Sequence, residues 1–275
     1  MRVIIFSGKG GSGVSTIAAA TAVAIAKDGR RTLAFGLGPG LAAVFGLSLG
    51  QEPAVVAEGL WALEGRHRHD SPDEMRDWLG ALLEWRGMEA GLAEDLAALP
   101  GVNHLGRLLE LERHVREGRF DAVVVDAAPL AQFLELPGAL DSAARWLERL
   151  FAPREQTLFE PLLRVFAGEY ATTGDDVFER GRDILTRLAN LRTALVDPEI
   201  SSVRLVSTPD MGAAGDVQRA LAALNLFDYP VDAVAVNRKL PAEVSDAFFA
   251  AVRRQEEETA RYLASSVAPM PVLVA

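Results

Sequence analysis

"RVIIFSGKGGSGVST", residues 2–16, decides the fold. Within residues 2–6, Val3 to Phe6 are an unbroken apolar run with three β-branched side chains, the pattern of a strand buried on both faces. The run enters a loop with glycine at 8, 10, 11 and 13. Beyond it, "STIAAATAVAIAKDG" (15–29) holds no helix breaker before Gly29, so it predicts a buried helix. "RTLAF" (31–35) repeats the strand pattern, completing a βαβ unit. A glycine turn between strand and helix lets backbone N–H groups converge on an anion, with the partial positive charge of the helix N-terminus behind them. Gly8, Gly13 and Ser15 fit the phosphate-loop pattern G-x-x-x-x-G-K-[ST], but its lysine position holds Val14. The lysine stands early in the loop, at Lys9.

Outward from this unit, strands and helices alternate. Strands are predicted at "GLWALEG" (59–65), "FDAVVVDAAP" (120–129), "SVRLVSTPD" (202–210) and "VDAVAVN" (231–237), with "PVLVA" (271–275) as a terminal candidate. Helices are expected over 212–225 and 241–264. Ser71 as N-cap with Pro72 at the first helical position opens a helical stretch over 71–117, broken at "LPG" (99–101). A second covers 139–196, broken near Pro153, Pro161 and "TTGDD" (172–176). The expectation is one α/β domain over 1–275, a mostly parallel sheet flanked by helices, with a helical insertion subdomain from about 71–117 and 139–196.

Composition narrows the function. At 275 residues, 49% hydrophobic and 24% charged, the chain is an ordinary globular sequence. A net charge of −10 argues against non-specific nucleic-acid binding. The absence of cysteine excludes disulfides, thiolate metal sites and cysteine catalysis. No run of 18 apolar residues predicts a membrane span, and the N-terminus reads as a first strand, so a cytoplasmic protein is expected.

Asp126 ends the strongest strand, on the edge where open α/β sheets bind ligands. With Ser15 it makes a candidate pair for Mg²⁺, against the alternative of a loop aspartate capping the next segment. Asn237 ends a later strand on the same edge, and its amide suits an adenine edge. "RHRHD" (66–70) has an H-x-H spacing but reads as a solvated basic segment, and the four tryptophans read as core.

"GKGGSGVST" (8–16) resembles the deviant phosphate loop KGGxGK[ST][ST] of the ParA/MinD/ArsA class, in which the early lysine reaches the nucleotide of the other subunit. "FDAVVVDAAP", "FLELP" (133–137), "LPG" (99–101), "STPD" (207–210) and "VAVNRKLP" (234–241) resemble, in order, motifs of the ArsA family. That family includes arsenite-pump ATPases and targeting factors for tail-anchored membrane proteins. The resemblance implies ATP or ADP held by Gly8, Lys9, Gly10, Gly11, Ser12, Gly13, Val14, Ser15 and Thr16, with Asn237 and Arg238 at the base. It implies Mg²⁺ on Ser15 and Asp126, and Lys9 acting in trans. Against the pattern, Gly38 replaces the switch I aspartate beside Pro39, and "LAQ" (130–132) stands where the family has T-G-H.

Three readings follow. The first is a dimer with impaired or absent hydrolysis, a homodimer or a heterodimer with an intact ArsA-family ATPase. The second is a slow but active ATPase. The third is a binding module whose helical subdomain captures apolar segments or membrane-protein clients. No nucleic-acid partner is expected.

Overall fold

A computed structural model describes residues 1–64, 74–85, 102–127, 129–131, 133–135, 138, 140, 171–244 and 246–275. The H-x-H segment, the "LPG" break and most of 139–170 lie outside these residues.

The chain divides into two compact units. The first comprises Met1–Arg66, Glu117–Pro137 and Thr193–Ala275. It is an eight-stranded sheet in the order β3-β4-β2-β5-β1-β6-β7-β8. The strands are β1 (Arg2–Gly8), β2 (Thr32–Gly36), β3 (Ala54–Ala57), β4 (Leu60–Glu64), β5 (Ala122–Asp126), β6 (Ser201–Ser207), β7 (Val231–Val236) and β8 (Val272–Val274). All neighbours pair in parallel except β3 with β4. From β1 the chain moves through β2 and β4 on one side, returns as β5, and continues as β6 to β8 on the other side. The C-terminal end of β1 is thus the topological switch point, where a ligand crevice forms in open α/β sheets.

The helices of this unit are α1 (Val14–Lys27), the short α2 (Leu41–Phe45), α6 (Met211–Leu226) and α7 (Ala250–Ser266). Val3, Ile4, Ile5 and Phe6 are buried, as both-faced coverage of a central strand demands. Each such side chain contributes about 1.5–3 kcal/mol of transfer free energy. Ala18, Ala19, Ala22 and Ala26 let α1 lie close on the sheet, in one core with Ile4, Phe6, Ala34 and Val124.

The second unit is His67–Arg116 with Gly138–Arg192. It holds α3 (Glu74–Trp85), most of α4 (Val102–Glu117) and most of α5 (Ala171–Val196). Arg187 of α5 donates to Glu112 of α4 at 2.8 Å and to Glu74 of α3 at 2.7 Å. The Trp78 indole donates to the Val177 carbonyl at 2.9 Å.

Four elements differ from expectation. The predicted break at 172–176 lies inside α5, because Val177, Ile184, Leu188, Leu191 and Leu195 form a buried helical stripe that outweighs local turn propensity. The last helix begins at 250 instead of 241. Asp246 is extended and its carboxylate accepts from Phe248 N at 2.7 Å, which starts a 3₁₀ turn (Ala247–Phe249) ahead of α7. Both α2 and the antiparallel β3 were unforeseen.

Candidate functional site

The loop after β1 is shaped by close approaches that only glycine permits. A Cβ on Gly8 would overlap the Val206 carbonyl of β6, and one on Gly13 would overlap the Asn237 amide nitrogen. Gly11 and Gly13 have φ of 84° and 91°, the left-handed region. Ser12 N donates to the Lys9 carbonyl at 3.0 Å, folding the loop back on itself. Asn237 Nδ2 donates to the Ser12 carbonyl at 2.8 Å, tying the end of β7 to the loop. Gly10 has open space around it. Gly13 caps α1 without a side-chain acceptor, so the first N–H groups of the helix, at Val14, Ser15 and Thr16, have no intrahelical or side-chain partner. The loop and helix start have the geometry of an anion cradle.

Val14 is 4% exposed and belongs to the apolar core under the loop, its Cγ2 lying toward Gly8. The position that carries the lysine in the common pattern therefore brings no charge to the cradle.

Ser15 and Asp126 both lie close to Gly40. A Cβ built on Gly40 would overlap Ser15 Oγ and lie 3.2 Å from Asp126 Oδ2. Two hard oxygen donors thus both pack against Gly40, where no side chain separates them. Asp126 is 2% exposed at the end of β5. Its carbonyl accepts from Leu37 N at 2.9 Å, which fixes the start of the 37–40 loop. Gly38 and Pro39 lie in that loop, and Gly38 O faces Gly36.

Sequence reading missed Glu64. This carboxylate, 4% exposed at the end of β4, accepts from the N–H groups of Gly40 and of Leu41, the latter at 3.0 Å. It clamps the loop that borders Ser15 and Asp126. The signal was an acid ending a strand, the same signal that marked Asp126.

Lys9 lies at the opposite margin. Its Nζ is 3.4 Å from Asp216 of α6. Asp210, the N-cap of α6, accepts from Thr208 Oγ1 and from Ala213 N at 2.8 Å. The Thr208 hydroxyl first, then the Ala213 amide and the charge of Lys9, hold the Asp210 carboxyl below the usual carboxylate range. Arg238 follows Asn237 with φ 61° and is exposed. Among the described residues no helix is long and apolar enough to cross a membrane.

A sequence model of the family described as anion-transporting ATPase matches residues 1–274. A protein of Prosthecochloris vibrioformis named as an arsenical pump-driving ATPase is 29% identical over 281 residues, covering 99% of this chain and 69% of its own. An uncharacterized protein of Streptomyces coelicolor is 31% identical over 271 residues, covering 94% of this chain and 68% of its own. The ATPase GET3 of Chaetomium globosum is 24% identical over 299 residues, covering 100% and 85%.

Proposed function

This chain belongs to the family of ArsA-type anion-transporting ATPases, and from that premise we propose that it is a nucleotide-binding, dimer-forming cytoplasmic member whose own hydrolysis is impaired or absent. The observation that carries the proposal is an anion cradle with a buried core valine, Val14, at its lysine position. Backbone amides of the loop bind phosphate without that lysine. What its loss removes is the cation that counters charge on the transferring phosphoryl group. Gly38 removes a second contributor, since a glycine has no carboxylate to orient water.

Ser15 and Asp126 fit a divalent cation. They supply a hydroxyl and a carboxylate side by side at Gly40, the type of oxygen donor that Mg²⁺ takes beside substrate phosphates. When bound, Mg²⁺–ATP supplies a polarised γ-phosphoryl group. In this reading the loop amides orient the phosphates, Ser15 and Asp126 hold the metal, and Asn237 keeps the loop in shape while Arg238 borders the base. Glu64 positions the 37–40 loop over the metal pair. Lys9, at the exposed margin of the loop, serves the nucleotide of a second subunit, its own copy or an intact ArsA-family ATPase. The stretches 86–101 and 141–170, on which client capture by the helical unit turns, lie outside the described residues.

Calorimetric titration with ADP and ATP, with and without Mg²⁺, tests the proposal alongside phosphate release. Binding is expected, with a Mg²⁺ dependence that Asp126→Ala abolishes. Turnover is expected at least roughly a hundredfold below that of a relative with both the lysine and the aspartate, the scale on which one stabilising group acts. Turnover at the relative's rate that Asp126→Ala eliminates would establish an active ATPase instead. No nucleotide binding at all would leave a fold without the family's ligand. For the in-trans role, ATP turnover by an intact ArsA-family partner is measured with wild type and with Lys9→Ala. Stimulation by wild type alone is expected, and equal turnover with both removes that role.

A further inference from the structure

Lys9 is the loop's own cation, and it is already engaged within this chain. Its Nζ sits 3.4 Å from Asp216 Oδ2, while 59% of its side chain stays exposed. The backbone dictates this direction. Gly8 is pressed against the Val206 carbonyl with no room for a side chain, and Ser12 N donates to the Lys9 carbonyl at 3.0 Å. Lys9 therefore leaves the loop beside β6 and borders a small surface hollow lined by Val206, Val217 and Asp216. Its ammonium reaches the Asp216 carboxylate at that margin.

Asp216 is not held by Lys9 alone. Arg219, three residues on along α6, donates to its other oxygen, so two cations share one carboxylate. Ion pairs this exposed are weak, worth roughly a twofold to fivefold bias in a local equilibrium. A weak contact of this kind yields to a phosphate, which carries more charge and more acceptors than a single carboxylate.

We propose that Asp216 is a positioning residue that parks Lys9 against α6, so that Lys9 reaches a phosphate only after this pair opens, with Arg219 weakening the hold by competing for the same carboxylate. The inference rests on the reading above that Lys9 serves a bound phosphate. It gives α6 a part in gating nucleotide capture that neither the loop motif nor the family match assigns.

The test is the rate at which an amine-acylating reagent modifies Lys9 in the full chain, followed by mass spectrometry, with exposed Lys27 as internal reference. In the absence of nucleotide, Asp216→Asn is expected to raise the Lys9 rate roughly twofold to fivefold. Asp216→Glu is expected to restore it, and Arg219→Ala to lower it. Equal Lys9 rates in wild type and Asp216→Asn overturn the proposal. In a second arm ATP is titrated as a protectant, and Asp216→Asn is expected to reach half-protection at a concentration lower by the same factor. Faster acylation with an unchanged half-point overturns the gating. If ATP binds none of the variants, the nucleotide reading falls and the gating with it, while the nucleotide-free rates still decide whether Asp216 holds Lys9.

Discussion

Single residues set what the phosphate loop can do. Gly13 is bound by two constraints at once, a left-handed φ of 91° and the Asn237 amide where its Cβ would stand. Gly11 has the first constraint only, since open space surrounds it. Gly13→Ala is therefore expected to destabilise by about 1–3 kcal/mol, more than Gly11→Ala at about 1–2 kcal/mol. Urea unfolding measures both. Adding Asn237→Ala should recover part of the Gly13→Ala loss and none of the Gly11→Ala loss. Val14 carries the complementary prediction. Val14→Lys places an ammonium in a core site and should cost about 2 kcal/mol or more without ligand. If the cradle binds nucleotide, ATP should stabilise Val14→Lys by more degrees than wild type in a thermal shift assay. An equal shift would mean that the new ammonium does not reach the phosphates.

Elements explain how much of this was legible. The helical unit shows packing overriding propensity. In α5, Gly181 lies under the Trp78 indole, with a Cβ placed 2.8 Å from ring atoms. Gly181→Ala gains about 1 kcal/mol of helix propensity but forces the indole aside, a cost of about 1–3 kcal/mol. Net destabilisation is expected, and Trp78→Leu with Gly181→Ala should remove it. Arg187→Met should cost about 3 kcal/mol by leaving Glu112 buried with less compensation, although Arg116 still donates to Glu112 at 2.9 Å. Long, periodic segments such as β1, α1, β5 and α6 were readable because each carries its own pattern. The one-turn α2 and four-residue β3 were not, because they are shorter than any window in which a period can be recognised. The same limit hid Glu64. Its role exists only because β4 lies beside β2 and brings its last residue to the 37–41 loop, a relation set by strand order and not by sequence spacing. Ser15 and Lys9 are candidates from the loop motif and Asp126 from its strand end, signals that sequence spacing alone carries. The bond from Asn237 to Ser12, like the pair of Lys9 with Asp216, needed β1, β6 and β7 side by side first.

At the scale of the whole molecule, the candidate site and a second structural clamp lie at opposite ends of the strands. The C-terminal strand ends carry the cradle, Asp126 and Asn237. The N-terminal ends of β2 and β5 are joined by Arg31 and Asp121, whose side chains meet at 2.9 Å while Arg31 N also donates to the carboxylate at 2.9 Å. The Arg31 guanidinium first, then its backbone amide, lowers the Asp121 carboxyl to about 2 from 3.8. A folded value below the unfolded one means that the charged form favours folding. That contribution is complete above the unfolded value and disappears as pH falls from about 4 toward 2. Thermal midpoints of wild type and Asp121→Asn should therefore differ at neutral pH and converge across that acid window. Added salt should narrow the gap at neutral pH, because the pair is exposed and screened. A gap that stays constant to the lowest pH would mean that Asp121 acts through packing instead of charge. Nucleotide affinity at neutral pH should be the same in both proteins, because this clamp lies across the sheet from the cradle.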